Sequence, residues 1–132
     1  ISLGDTIGTV YPEQVARMLE AVVRVVPAEA LAGHYHDTAG RALANIDVSL
    51  DYGLRIFDAS IAGLGGCPYA PGAKGNVDTE LVYDHLVARG YEISGAPDRA
   101  GLAQAAKRYQ RDKVVSKLID PVRRMIKWLS IL

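Results

Sequence analysis

The sequence predicts an α/β fold in which short parallel strands alternate with helices. Three short apolar segments are typical of buried strands, and each is followed by a polar loop and then by a segment with apolar residues at helical spacing. The strand segments cover residues 1–3, 31–36 and 54–61, and the helical segments cover 12–26, 41–52 and 78–88. Because repeated units of this kind build parallel sheets, we expect functional side chains at the carboxyl ends of the strands.

Each helix has its own start or stop signal. Pro12 suits the first position of a helix, and Pro27 ends the first helix. Gly53 ends the second helix, and either Asp78 or Thr79 caps the third. These signals support the boundaries that the apolar spacing predicts.

The composition limits the kind of protein. The chain has 132 residues, of which 49% are hydrophobic and 23% charged, as in one globular domain or a piece of one. It has no run of 18 apolar residues and no basic start followed by an apolar core, so we expect neither a membrane span nor a signal peptide. A bacterial cytoplasm or a mitochondrial matrix is the expected location. Because the chain begins on Ile1 without Met, we interpret it as part of a longer protein.

The charge changes sign along the chain. Residues 1–98 carry 13 acidic and six basic side chains, whereas residues 99–132 carry two acidic and nine basic ones. We therefore divide the chain into a domain at 1–98 and a basic amphipathic helical tail at 99–132, which Pro121 should kink. Such a helix covers apolar surface more often than it binds a membrane surface, an acidic partner or nucleic acid. We expect no nucleic-acid partner, because no base-stacking motif accompanies the charge.

Two histidines stand two residues apart in the second predicted strand. His34 and His36 therefore project from one face and can share a metal ion. A hydrogen-bonded polar patch is the commoner outcome of this spacing. Asp37, which follows them, suits either an outer partner of metal ligands or a helix cap.

Other polar residues lie at the ends of strands or in loops. Cys67, the single cysteine, stands in a glycine-rich loop and is a candidate reactive thiol that cannot form an intrachain disulfide. Asn76 suits either a turn before the third helix or an oxygen ligand of a hard cation. Asp5 suits either a loop-forming acceptor or an acid–base group. Asp58 has the same alternatives, and its apolar neighbours favour a structural hydrogen bond.

Four blocks of sequence together resemble a known family. They are residues 2–8 (SLGDTIG), 33–38 (GHYHDT), 57–70 (FDASIAGLGGCPYA) and 72–76 (GAKGN). In combination they resemble the C-terminal part of the hydroxymethylglutaryl-CoA lyases, which belong to a metal-dependent TIM-barrel superfamily. The resemblance covers roughly residues 1–96, and the segment from about Gln104 does not resemble the family's usual ending.

The resemblance implies a partial TIM (β/α)8 barrel, made of the last three β/α units and followed by the helical tail. In the family an arginine and a metal-binding aspartate come from the first barrel strand, which this resemblance places outside the 132 residues. The implied partners are an acyl-CoA substrate and either the missing N-terminal barrel half or a second copy in a homo-oligomer.

The resemblance also implies a reaction and a site. The family cleaves 3-hydroxy-3-methylglutaryl-CoA to acetyl-CoA and acetoacetate with a divalent metal, Mg²⁺ or Mn²⁺. His34, His36 and Asn76 match the metal ligands, and Cys67, Asp5 and His34 match the groups that transfer protons. The two roles of His34 compete, because a ring nitrogen bound to metal cannot also act as a base.

Two alternatives remain open. A condensing synthase of the same superfamily, acting on acyl-CoA and 2-oxo acids, shares the His-x-His strand, but the GGCPY run at 65–69 favours a lyase. An inactive truncated product or an interaction fragment would keep the motifs without a complete barrel.

Overall fold

The computed structural model describes residues 1–66, 74–94 and 98–119, with side chains in the last helix as far as Arg111. Its sheet consists of three parallel strands in the order β1-β2-β3, in which β2 is central. The strands are β1 (Ser2–Asp5), β2 (Ala32–Tyr35) and β3 (Ile56–Asp58). The helices are α1 (Pro12–Val22), α2 (Ala42–Asp51), α3 (Thr79–Ala88) and α4 (Arg99–Ile119), with short 3-10 helices at Ala28–Ala30 and Ile61–Gly63.

The predicted alternation of parallel strands and helices is confirmed. The three strands follow one another across the sheet in sequence order, as consecutive β/α units do. The first helix is shorter than predicted, because α1 ends at Val22 and not just before Pro27. Three further valines follow within four residues, and the N–H groups of Val25 and Val26 donate to the Val22 carbonyl in a turn. Such β-branched side chains are stiff and weaken helices.

The core lies between the sheet and α1, α2 and α3. Side chains alternate along a strand, so Tyr35 points from β2 into this core, where its hydroxyl lies 2.6 Å from Ser49 Oγ of α2. Its neighbours His34 and His36 project from the other face of the sheet. Packing on one face therefore fixes the orientation of the two histidines on the other. The largest fully buried apolar side chains are Leu19, Leu31, Ile46, Leu54, Leu102 and Val77.

The last described helix, α4, begins at Arg99, and its first turns pack on the rest of the described protein. Leu102 is 1% exposed, and α4 contacts α3 and the 3-10 helix at Ile61–Gly63. Arg99 donates two hydrogen bonds to Asp84 of α3, at 2.7 and 2.8 Å. The apolar stripe predicted from Val114 onward and the kink at Pro121 lie outside the described side chains. Across the described ranges, no helix has the length and apolar character needed to cross a membrane.

Candidate active site

A short segment, residues 75–79, crosses the carboxyl ends of β2 and β3. On the β2 side, Asp37 N–H donates to the Gly75 carbonyl and Val77 N–H donates to the Tyr35 carbonyl. On the β3 side, Ser60 N–H donates to the Val77 carbonyl at 3.0 Å. This crossing segment brings Asn76 into an antiparallel bridge with His36.

The two histidine rings lie together on one face. Their centroids are 5.3 Å apart and their planes meet at 58°. His36 is buried, and its Nδ1 atom has no hydrogen-bond partner among the described residues. His34 is about one-third exposed, and its Nδ1 lies 3.6 Å from Asp58 Oδ2. The sequence spacing thus brings both imidazoles to the same place.

Asn76 is held beside the histidines by the start of the glycine-rich loop. Its Nδ2 donates to the Leu64 carbonyl at 2.9 Å, which fixes the plane of the amide. This position of Asn76 requires glycine at residue 65, because a Cβ there would lie 2.6 Å from Asn76 Nδ2. Gly65 also has φ +113°, which residues with a side chain rarely adopt. Asp78, not Asn76, caps α3, since its carboxylate accepts from Glu80 N–H.

Asp5 uses both carboxylate oxygens within its own loop. Oδ1 accepts from Gly8 N–H at 2.9 Å, and Oδ2 accepts from Val10 N–H at 3.2 Å. This arrangement is that of a loop-forming acceptor, one of the two roles open to Asp5 in the sequence. The loop it closes packs on the histidine segment, because a Cβ at Gly8 would lie 2.8 Å from His36 Cβ.

Three consecutive carbonyls of that loop accept hydrogen bonds from the start of α2 and the residues before it. Their donors are Ala39 N–H, an Arg41 guanidinium nitrogen and Asn45 Nδ2, which donate to the carbonyls of Gly8, Thr9 and Val10 respectively. Asp37 accepts from Ala42 N–H at 3.1 Å and so takes the helix-capping role. The segment that follows β2 and carries His36 is therefore hydrogen-bonded to the loop at residues 8–10 on one side and to the crossing segment at 75–79 on the other.

A pair of acidic residues at the start of α3 was missed by the sequence analysis. Burial and a hydrogen bond shared with Glu80 raise the pKa of Asp78. Burial acts to raise the pKa of Glu80 as well, but hydrogen bonds from Asp78 and from Ala62 N–H outweigh it and lower this pKa. Glu80 also accepts a hydrogen bond from the N–H of Ala62, a non-glycine residue at φ 54°. The D-x-E spacing is the only signal in the sequence, and it equally fits an ordinary helix start.

The donor atoms present fit a divalent cation of the Mg²⁺ or Mn²⁺ type. Two imidazoles and an amide oxygen form a mixed nitrogen and oxygen set, and the unpartnered buried Nδ1 of His36 marks a polar site. Within residues 1–66, 74–94 and 98–119, no three His, Cys, Asp or Glu side chains are arranged to hold a metal ion. Cys67 lies outside the described residues.

The fold and the position of this site define the class of protein. In a TIM-barrel enzyme the functional side chains lie at the carboxyl ends of parallel strands, which is where this histidine pair lies. A family model described as HMGL-like matches residues 1–108. The chain belongs to the HMGL-like family, and the match includes the first ten residues of α4.

Named relatives agree with this assignment. The chain is 51% identical over 108 residues to a hydroxymethylglutaryl-CoA lyase from Pseudomonas mevalonii, which covers 82% of this chain and 35% of the relative. It is 69% identical over 82 residues to a mitochondrial hydroxymethylglutaryl-CoA lyase from Arabidopsis thaliana, covering 62% of this chain and 18% of the relative. The crystal structure of an HMG-CoA lyase from Brucella melitensis matches with a TM-score of 0.75 and 58% identity, over 84% of this chain and 39% of that one. The chain thus spans about a third, or less, of the length of the curated relatives it matches.

Proposed function

We propose that this chain is the C-terminal catalytic part of a hydroxymethylglutaryl-CoA lyase. The observation that carries the proposal is the meeting of His34, His36 and Asn76 at one end of the sheet, in a chain 51% identical to a named lyase. The substrate is 3-hydroxy-3-methylglutaryl-CoA, and the products are acetyl-CoA and acetoacetate. The location is a bacterial cytoplasm or a mitochondrial matrix.

The three β/α units form the last part of a (β/α)8 barrel. Both β1 and β3 are edges of the described sheet, and Ile56 of β3 is 53% exposed. Exposed backbone groups on edge strands pair readily with further strands. The partner is therefore a complementary N-terminal barrel segment or, in its absence, a second copy of the chain.

His34, His36 and Asn76 would hold a divalent cation, Mg²⁺ or Mn²⁺, which would supply Lewis-acid polarisation of the tertiary hydroxyl and the free carboxylate of the substrate. The Asn76 amide is fixed by Leu64, and His36 is fixed by the loop packed against it, so the ligands are organised before the ion arrives.

Cleavage needs a base and an acid. The base takes the proton of the C3 hydroxyl, the C2–C3 bond breaks as the C3 carbonyl of acetoacetate forms, and the electron pair becomes the enolate of acetyl-CoA. Cys67 then protonates the enolate carbon, because a thiol with a pKa near 8.5 is still protonated at neutral pH. Asp5 and His34 are the candidate bases. Asp5 would first have to release a backbone N–H of its own loop.

A chimeric enzyme tests this function. Residues 1–108 of this chain replace the matching 108 residues of the Pseudomonas mevalonii lyase, and acetoacetate production is measured with Mg²⁺ or Mn²⁺. We expect turnover that is lost in a His36→Ala chimera. A Cys67→Ser chimera should keep substrate binding and lose most of kcat, because an alcohol is a weaker acid than a thiol.

A folded chimera without turnover would contradict the lyase assignment and favour an inactive fragment. Condensation of an acyl-CoA with a 2-oxo acid by the chimera would instead favour the synthase alternative. Unchanged kcat in the Cys67→Ser chimera would remove Cys67 from the mechanism.

A further inference from the structure

Three polar side chains form a row across the strands, and two of them, Ser2 and Asp58, lie outside the ligand set proposed above. Ser2 of β1, His34 of β2 and Asp58 of β3 lie on the same face of the sheet, and His34 and Asp58 are register partners. Ser2 Oγ donates to Asp58 Oδ2 at 3.2 Å, although their strands are separated by β2. The Asp58 carboxylate therefore reaches over the strand that carries His34.

The same carboxylate oxygen is close to one particular atom of His34. Asp58 Oδ2 lies 3.6 Å from His34 Nδ1, a few tenths of an ångström beyond a hydrogen bond. An ionised carboxylate donates no hydrogen bond, so in a neutral imidazole this nearby oxygen favours the proton on Nδ1 over the proton on Nε2. The lone pair of the ring is then on Nε2.

We infer that Asp58 is the positioning residue of His34, held in place by Ser2. By favouring the proton on Nδ1, Asp58 leaves the lone pair of a neutral His34 on Nε2, which would be the atom available to a cation. Metal-binding histidines commonly donate their other N–H to a carboxylate in this way. The role in metal binding rests on the proposed function, whereas the choice of tautomer does not.

This assignment settles the competition between the two roles of His34. A neutral ring has one lone pair, and if that pair is on Nε2 and binds the cation, His34 cannot also take the substrate proton. His36 differs, because its Nδ1 has no partner among the described residues. Asp58 thus makes His34 the pre-oriented ligand of the pair and leaves the base to another group.

The tautomer of His34 can be measured directly on the metal-free chain. Long-range ¹H–¹⁵N spectra distinguish protonated from unprotonated ring nitrogens, and the chain has only three histidines to assign. We expect the Nδ1–H tautomer for His34 in the parent and its loss in Asp58→Ala. Asp58→Glu, which keeps the carboxylate, should restore it at least in part. Asp51→Ala, which removes an exposed carboxylate at the end of α2, is the matched control.

Calorimetry with Mn²⁺ gives the second readout. We expect Asp58→Ala to weaken binding about 10- to 100-fold, the range typical of lost outer partners of metal ligands. An unchanged His34 tautomer in Asp58→Ala overturns the inference, whatever Mn²⁺ does. If Asp58→Ala changes the His34 tautomer but the parent chain binds no Mn²⁺, the result counts against the proposed metal site and still supports the positioning of His34 by Asp58.

One further variant, Ser2→Ala, protects the test from a folding defect. Asp58 is about half exposed, so its removal loses little packing, and circular dichroism checks the fold. If Asp58→Ala unfolds, Ser2→Ala carries the test, because it frees the carboxylate without removing it. A population of the other His34 tautomer in Ser2→Ala supports the inference, and an unchanged spectrum overturns it.

Discussion

Single atoms decide the geometry of the candidate site. Asn76 can lie beside the loop because Gly65 has no side chain. His36 can pack against the loop that follows β1 because Gly8 has no side chain either. A Cβ at Gly65 would come within 2.6 Å of Asn76 Nδ2, which no real structure tolerates without a shift. At the scale of the residue, the site is therefore organised by close backbone approach as much as by the ligand side chains.

Metal binding gives the first prediction at this scale. If the parent chain binds Mn²⁺ as proposed, His36→Ala should abolish that binding, because it removes one of two imidazoles whose centroids are 5.3 Å apart. His85→Ala is the matched control, since His85 pairs with Asp47 between α2 and α3. Isothermal titration calorimetry measures both variants. Equal Mn²⁺ affinity in His36→Ala and the parent would exclude His36 as a ligand.

Alkaline pH gives the second prediction. Burial raises the pKa of Tyr35, and this effect exceeds that of its hydrogen bond with Ser49. The folded state therefore holds this proton more tightly than the unfolded state, whose tyrosine titrates near pH 10. The resulting contribution to stability is complete below about pH 10 and is lost as the pH rises further.

Tyr35→Phe should accordingly remove part of the alkaline fall in stability. At pH 7 it should cost about 1 kcal/mol, because one hydrogen bond is lost. Urea unfolding between pH 7 and 11 measures both effects. Tyr11→Phe, which changes a tyrosine that is 53% exposed, is the control, and an identical alkaline slope in Tyr35→Phe and the parent would contradict the argument.

At the scale of the element, the sequence predicts the strands and helices better than the site. Periodicity and Pro or Gly signals locate α2 and α3 within a residue, since Gly53 and Asp78 act locally. The prediction that α1 extends to residue 26 was wrong, because the valines after Val22 have helical apolar spacing but are β-branched and weaken a helix. The crossing segment at 75–79 could not be predicted, because its hydrogen bonds join residues that are distant in the chain.

The docking of α4 gives a prediction at this scale. Leu102→Ala should destabilise the protein by about 2–5 kcal/mol, because Leu102 is 1% exposed where α4 contacts α3 and the 3-10 helix at Ile61–Gly63. Leu81→Ala is the matched control, since Leu81 of α3 is 52% exposed and should change stability little. Urea denaturation gives the free energy of unfolding. Equal losses in the two variants would mean that α4 is a detached tail.

At the scale of the whole molecule, the sheet is open on both sides. β1 and β3 each have one neighbour in the described sheet, and Ile1 and Ile56 are 71% and 53% exposed. A barrel of this type closes only when all of its strands are present. The chain therefore offers surfaces that fit further strands.

The purified 132-residue chain should show no lyase turnover by itself. The resemblance places an arginine and a metal-binding aspartate outside the chain, and the loss of one such electrostatic group typically lowers kcat about 100- to 1000-fold. A coupled assay for acetoacetate should read at background, and light scattering should show self-association. Robust turnover by a monomer would show that neither the arginine and aspartate outside the chain nor further strands are required for cleavage.

The central place of β2 has a consequence for the order in which the sheet opens. Backbone amides of β1 and β3 are covered by one neighbouring strand, whereas β2 pairs on both sides. Hydrogen exchange through local openings should therefore begin in the edge strands, and each amide of β2 should exchange when the one ladder to which its N–H donates has separated. His34 is part of β2, and His36 follows its last residue directly. The histidine pair is thus attached to the strand that stays paired on its other side when one edge opens, so fraying at either edge can proceed while the two imidazoles stay together.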